Sequence, residues 1–444
     1  MSKLDDHPTV RQMRTRSDMP FPSPLDLAEL RAIVLAAGAD DVGFVEIDRA
    51  ALESEKSPAE ACLSGTRTLI SFVVKMNRDP IRSPERSVSN LEFHHTGEQV
   101  NDVGRKVVRE LQDRGYRAVN PAMGFPMEMD RYPGRIWVIS HKPVAVEAGL
   151  GRMGIHRNVI HPRFGNFILL GTILTDIELN EYSRPIEYNP CLECKLCVAA
   201  CPVGAISADG HFDFTACHTH NYREFNGGFT NWIESIADSS SRFEYRKRVT
   251  DGESASMWQS LAFGANYKAA YCLAVCPAGE DVISPFLSDR KGFLGDVLRP
   301  LQDKKEPVYV IPGSDAEDFV RKKYPHKELR KVPNSLRVTS VASFLRGMSL
   351  NFQREQATGL NAVYHFTFSG RETRQATVII RDKSLQVHDG VLLERPDLVV
   401  TADAAAWIGF LRKERSLLWA LLTRRIRLAG SPKWLLKFGR CFPA

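Results

Sequence analysis

From Leu25 to Ala39 the apolar residues Leu25, Leu27, Leu30, Ile33, Val34 and Ala37 recur at helical spacing, and Gly38 supplies a stop. Short apolar runs at Asp41 to Glu46 and Thr68 to Val74 read as strands. A second amphipathic helix is predicted over Gln99 to Arg114, with Val103, Val107, Val108 and Leu111 on one face and Gly115 as its cap. Arg135 to Ser140 and Phe167 to Thr175 are further strand candidates. Helices alternating with strands predict an α/β layer.

The second half changes character. A polar insertion, Asn226 to Gln259, interrupts a cysteine-rich block. The charged stretch Asp303 to Val332, with Pro307, Pro312 and Pro325, reads as a linker. Beyond Ser335 the pattern predicts a helix (Val338 to Arg354), three strands (Val363 to Phe368, Arg374 to Ile380, Leu385 to His388) and a basic C-terminal helix pair, an α+β domain. The stretch Trp407 to Arg427 is expected to pack Trp407, Phe410, Leu411, Leu418 and Leu421 inward; contact of this basic segment with acidic lipid is the alternative. The predicted division is an N-terminal arm (1–24), an α/β core (25–185), a cysteine-rich module (186–302), a linker (303–334) and a last domain (335–444).

Composition adds limits. Apolar and charged fractions of 43% and 25% are those of a globular protein. A net charge of +6 does not by itself imply nucleic acid, and none is expected as a partner. No run is long enough to span a bilayer. Arg11, Arg14 and Arg16 precede Pro20, Pro22 and Pro24 without an apolar segment, so no secretory signal is read and a cytoplasmic location is expected.

The sharpest signal is in the cysteines: seven of the nine lie between Cys191 and Cys276. Cys191-x2-Cys194-x2-Cys197-x3-Cys201-Pro202 has the spacing of a bacterial ferredoxin run, in which three thiolates hold one 4Fe-4S cluster and the fourth serves another. Cys276, in Cys272-x3-Cys276-Pro277, would complete the first cluster. Cys201, Cys217 and Cys272 would hold the second, where Ala269 stands in place of a further cysteine. His218 or His220 would then supply the missing ligand, or the second cluster is a 3Fe-4S form, carries a water-bound iron, or is absent; His220 is carried as a candidate metal ligand. Such a pair is an electron relay. Cys62 and Cys441 read as small buried hydrophobes.

Gly149, Gly151 and Gly154 form a G-x-G-x-x-G loop, a candidate cofactor cradle without the flanking elements of a dinucleotide site. The whole segment Lys142-Pro143-Val144-Ala145-Val146-Glu147-Ala148-Gly149-Leu150-Gly151-Arg152-Met153-Gly154, with Pro162-Arg163-Phe164-Gly165, Thr175-Asp176 and the cysteine run, resembles the core of cobalamin-dependent reductive dehalogenases and epoxyqueuosine reductases over about residues 25 to 290. The resemblance implies a nitroreductase-like α/β core carrying an inserted ferredoxin-like iron-sulfur module. It also implies a cobalamin cofactor, an electron donor such as ferredoxin or flavodoxin, and reductive cleavage or deoxygenation of a hydrophobic small molecule. A non-catalytic electron carrier and a lipid-binding redox sensor are the alternatives. Ser140 stands where epoxyqueuosine reductases carry an acidic proton donor, which argues against that reaction, and no twin-arginine signal is present.

Residues 335 to 444 are similar to the sterol-carrier-protein family through Phe366-x-Phe368-Ser369-Gly370, Asp397 to Asp403, and Leu428-Ala429-Gly430-Ser431. That similarity implies either an apolar tunnel for a lipid or a packing and homodimerisation unit. Proton-donor candidates for reductive chemistry are Tyr132, His141 and Lys142, with Arg131 beside them; His94 and His95 are candidate cofactor contacts.

Overall fold

The computed structural model describes residues 4–15, 25–124 and 129–443. The arm residues Arg16, Pro20, Pro22 and Pro24 lie outside these; Pro8–Thr15 is a helix.

Four of the first six strands form one antiparallel sheet. In chain order the six are β1 (Asp41–Glu46), β2 (Thr68–Lys75), β3 (Ala118–Val119), a ribbon of β4 (Arg152–Met153) and β5 (Val159–Ile160), and β6 (Ile168–Thr175). The main sheet runs β1-β2-β6-β3, and β4-β5 stands apart. Phe72 of β2 lies opposite Gly171 of β6. A Cβ at Gly171 would fall 2.2 Å from the Phe72 ring, so the missing side chain is what lets this ring lie across the neighbouring strand.

The sheet is buried on both faces. Val42, Phe44, Ile70, Phe72 and Val74 pack with Leu30, Val34, Val103, Val107 and Leu111 of two helices, Leu27–Ala36 and Arg86–Asp113. The alternate residues Val45, Leu69, Val73 and Leu174 pack with Val144, Ala145 and Ala148 around the helix His141–Glu147. Such two-sided burial explains why β2 is apolar at nearly every position rather than at every second one. The helix Arg86–Asp113 begins well before the apolar periodicity does. Its first turns are held by polar tertiary bonds, Asn90 Nδ2 to Asn266 Oδ1 at 2.6 Å and to the Tyr267 carbonyl at 3.2 Å.

The charged segment after residue 303 carries β7 (Pro307–Val310), a helix (Asp315–Lys323) and β8 (Glu328–Lys331), with β7 and β8 parallel. Val308, Val310, Ala316 and Val320 belong to the main hydrophobic core. The insertion after Asn226 forms the helices Gly227–Ala237, Arg242–Arg248 and Asp251–Phe263.

A separate core holds the last part of the chain. Strands β9 (Ala362–Ser369), β10 (Arg374–Arg381), β11 (Ser384–Asp389), β12 (Leu398–Asp403) and β13 (Ile426–Gly430) form a sheet ordered β11-β10-β9-β12-β13. All neighbours are antiparallel except β9 and β12. Phe366 and Phe368 meet Phe344 and Trp407, with Phe344 and Phe366 each 5.6 Å from Trp407 by ring centroids. Trp407 is fully buried, and these rings fill the interior between sheet and helices. The segment read as one helix face is broken: Ala404–Leu411 and Leu417–Leu422 are separate helices, and Leu418 points out, 68% exposed.

The expected fold class, a nitroreductase-like core with an inserted bacterial-ferredoxin-like iron-sulfur module, is corrected to a mixed α/β chain without that discrete module. Among the described residues no group of three or more His, Cys, Asp or Glu is placed to hold a metal ion. The packing gives a reason in kind. Leu196, Cys197, Ala200, Cys201, Tyr271 and Leu273 are continuous with the core of the main sheet, while Cys276 and Cys191 pack in a small cluster with Ile160. Among the described residues no helix is long and apolar enough to cross a membrane.

Candidate functional site

The cysteine run spans a loop and a short helix. Cys191 and Cys194 precede the helix Leu196–Ala200, Cys197 lies within it, and Cys201 follows it. Glu193 and Lys195 adopt positive φ, which turns the loop tightly around Cys194. Cys272 lies on the helix Tyr271–Ala274, which packs on the first helix, and Cys276 follows it. Cys217 lies on the helix Phe214–Asn221, whose N-cap Asp213 accepts from Ala216 N at 2.9 Å. None of the nine cysteines forms a disulfide.

Two thiol neighbourhoods result. Cys191, Cys194, Cys197 and Cys276 line a cavity of about 10 Å³ with His156 behind them. A space of that size admits about one water molecule. Burial, reinforced by Cys272, Cys276 and Cys194, pushes the Cys197 thiol far up, and burial raises Cys276 to about 12. His156 is buried with Nε2 lacking a hydrogen-bond partner; burial, then the charge of Lys142, depresses it to about 4.

The second neighbourhood holds Cys201, Cys217 and Cys272. Cys201 is buried and accepts from Ala205 N at 3.3 Å. Cys217 and Cys272 are half-buried neighbours, and the partly open surface they share with Cys201 is the recess. Burial, then the neighbouring Cys272 and Cys201, lifts Cys217 well above an ordinary thiol. Burial and Cys201 raise Cys272 to about 12, and Lys142 opposes both shifts.

These observations correct several expectations. The 4Fe-4S clusters, the iron-sulfur reductase activity, the electron-relay and redox-sensor alternatives that rested on them, and the cobalamin cofactor are overturned, because no cluster of metal-ligating side chains is present among the described residues. His220 is fully enclosed: its Nδ1 accepts from Tyr309 N at 3.3 Å, and its Nε2 lacks a partner. Burial, reinforced by Lys268 and Lys327, holds it at about 3.

Lys142 acts electrostatically on both thiols of the recess, and Asp213 on Cys217 alone. Its Nζ donates to the Arg157 carbonyl at 2.7 Å and to Asn158 Oδ1 at 2.9 Å. Its side chain reaches solvent, yet desolvation by the surrounding protein holds the ammonium pKa below its ordinary value, against the pull of Cys272 and Cys217.

The other sequence-predicted residues make contacts of their own within the protein. Tyr132 Oη shares a 2.9 Å hydrogen bond with His218 Nε2, and His218 Nδ1 lies 3.1 Å from Ser335 Oγ. His141 places Nδ1 2.9 Å from Thr172 Oγ1 and Nε2 2.9 Å from the Ala122 carbonyl, so Nε2 donates and Nδ1 accepts. Gly149, Gly151 and Gly154 lie against protein: a Cβ at Gly149 would fall 2.5 Å from the Arg184 carbonyl oxygen, one at Gly151 2.3 Å from that of Ile160, and one at Gly154 2.8 Å from the Ile160 side chain. His94 lies against Gly264.

Sequence reasoning passed over Glu55. This buried carboxylate pairs with Arg135 and accepts from Ser140 N at 3.0 Å. No motif marks it, and only the fold brings it to Ser140.

No family model matches the chain. Curated relatives match in part. The epoxyqueuosine reductase of Vibrio cholerae is 32% identical over 129 residues, 29% of this chain and 31% of the relative. That of Escherichia coli K12 is 35% identical over 98 residues, 22% and 25% of the two chains. That of Lactococcus garvieae is 24% identical over 235 residues, 52% and 57%. The chain thus spans about a third of the length of the first of these relatives. Among solved structures, an epoxyqueuosine reductase with a tRNA-Tyr stem loop superposes with a TM-score of 0.33 at 18% identity, over 45% of this chain and 57% of that one. A reductive dehalogenase described for B12-dependent dehalogenation superposes with a TM-score of 0.39 at 16% identity, over 64% and 36%. The sequence matches establish a distant superfamily link to the epoxyqueuosine reductases.

Proposed function

We propose that the chain is a thiol-dependent redox protein in which Cys217 and Cys272 exchange electrons at the recess beside Lys142. The observation that carries this reading is the grouping itself: two reduced cysteines from separate helices share a protein-walled recess with one ammonium group. Two thiols joining as a disulfide release two electrons and two protons, so the pair can reduce an acceptor without a metal. The thiolate is the reactive form. Burial opposes its formation and Lys142 favours it, so the lysine sets how readily the first thiol loses its proton.

Tyr222 stands beside these thiols, and the Tyr267 ring packs against it at 5.8 Å. A hydrophobic organic acceptor fits such walls, and a small electron-transfer protein such as a ferredoxin or flavodoxin fits the role of donor. The relatives' activity, epoxyqueuosine reduction, supports redox chemistry as the class.

The test is anaerobic poising of the full chain at stepped potentials, followed by alkylation and mass spectrometry. Cys217 and Cys272 are expected to lose alkylation together, with the loss of two hydrogens in mass, and Cys272→Ser is expected to leave Cys217 alkylatable throughout. Alkylation unchanged at every potential, or elemental analysis finding metal bound to these cysteines, rejects the proposal.

A further inference from the structure

The helix Leu417–Leu422 divides its leucines between two sides. Leu417 and Leu421 are half-buried and Ala420 is buried, packed on the C-terminal core. Leu418 and Leu422, one helical turn apart, are 68% and 75% exposed, and Trp419 between them is 42% exposed. Two exposed leucines and a tryptophan on six residues is an outlay of apolar surface that folding of this domain does not need.

The charge around them is mostly positive. Between Arg412 and Arg427 there are six cations, Arg412, Lys413, Arg415, Arg424, Arg425 and Arg427, all exposed, and one carboxylate, Glu414. Glu414 lies 3.0 Å from Arg412. The guanidinium carbons of Arg415 and Arg425 stand 5.2 and 5.9 Å from the centre of the Trp419 ring, which fixes cations from both flanks beside the apolar tip. Arg425 also faces Asp403 at 3.8 Å. The backbone enforces the arrangement: Lys413 and Arg424, just outside the helix on either side, both adopt positive φ and close it off as a short protruding unit.

We propose that this protrusion docks on an anionic lipid surface. Leucine side chains gain from entering the boundary between headgroups and acyl chains, a tryptophan is at home at headgroup depth, and arginines on both flanks meet lipid phosphates and carboxylates. A nucleic acid would satisfy the cations and leave Leu418 and Leu422 in water. A second copy of the chain would bring the same cations face to face. The docking is peripheral and reversible, since among the described residues no helix is long and apolar enough to span a bilayer.

The test is flotation of the full chain with vesicles of phosphatidylcholine alone and of phosphatidylcholine with phosphatidylserine. Binding is expected to the serine-containing vesicles, at least tenfold weaker to the neutral ones, and to weaken steeply as salt rises. Leu418→Glu with Leu422→Glu, and separately Arg424→Glu with Arg425→Glu, are expected to lower binding at least tenfold. Leu287→Glu, at an equally exposed leucine elsewhere, is expected to leave it unchanged. Circular dichroism of each variant guards against misfolding, and the salt dependence of the unaltered chain stands independently of them. No binding to anionic vesicles at low salt, equal binding to both vesicle types, or a dimer that Leu418→Glu dissolves each overturns the proposal.

Discussion

The phenol of Tyr132 and the imidazole of His218 meet in a buried hydrogen bond of 2.9 Å. The bond joins the segment ahead of the first core's Lys142 helix to the helix that carries Cys217, and through Ser335 it reaches the start of the C-terminal unit. Tyr132→Phe keeps the ring and strips His218 Nε2 of its partner. We expect a loss of about 1–3 kcal/mol in urea unfolding, the cost of a buried polar group left unsatisfied. A change below ~0.3 kcal/mol would show that the bond contributes nothing.

Burial holds His218 at about 3, against an ordinary 6.5. The unfolded chain therefore takes up a proton near pH 6.5 while the folded chain does not. Stability from this site is complete above pH 6.5 and falls as pH drops toward 3, by ~1.4 kcal/mol per pH unit. Asp213, raised by burial to about 6, acts in the opposite sense between its ordinary 3.8 and 6, so the histidine is isolated by comparison. In His218→Gln the dependence of unfolding free energy on pH between 6.5 and 5 should be shallower by about one proton than in the unaltered chain; parallel curves would refute this.

Lys327 is anchored in the interior, its side chain 0% exposed. Its Nζ donates to Glu306 Oε1 at 2.9 Å and to the carbonyls of Lys304 and Leu301 at 2.8 and 3.2 Å. Glu306 also accepts from Tyr271 Oη at 2.6 Å, which ties the segment after residue 303 to the helix bearing Cys272. Lys327→Met leaves a buried carboxylate without its cation and should cost ~3–5 kcal/mol in denaturant unfolding. Lys305→Met, at an exposed neighbour, is the comparison and should cost less than ~0.5 kcal/mol.

Gly151 has φ of +155° and no room for a methyl group against the Ile160 carbonyl. Gly151→Ala should destabilise the chain by about 1–3 kcal/mol through overpacking. If this loop were instead an open ligand cradle, thermal unfolding without ligand would be unchanged by the substitution.

The strands of the main sheet were legible because their apolar runs are short and bounded: β1 has the expected limits, and β2 and β6 differ by one residue at an end. Arg135 to Ser140 was misread. Its fully buried positions, Ile136 and Ile139, are three apart rather than alternate, and the segment is pinned by Arg135, which donates to the carbonyls of Trp137 and Val138 and pairs with Glu55. Leu418 was assigned to the inward face because helical phase was carried across residues 412–416. Positive φ at Lys413 resets that phase. At the site, the sequence marked the cysteines as a group whose spacing suggested metal ligation, and Lys142 separately as a proton-donor candidate. Spacing along the chain does not report how much room is left between side chains, and the cavity of about 10 Å³ is a tertiary property. Glu55 and the Tyr132–His218 bond were invisible for the same reason: their partners come together only through the fold.

The parallel pairing of β9 with β12 has a consequence for synthesis on the ribosome. β9 and β10 can zip together as soon as they emerge, but the other flank of β9 is covered by a strand that begins only at Leu398. Until then the middle of this sheet offers unpaired amide and carbonyl groups along an apolar ribbon, a template for unwanted strand addition. A nascent or prematurely stopped chain ending before Leu398 would therefore be a client for chaperones, whereas the finished one hides that template beneath its own last strands.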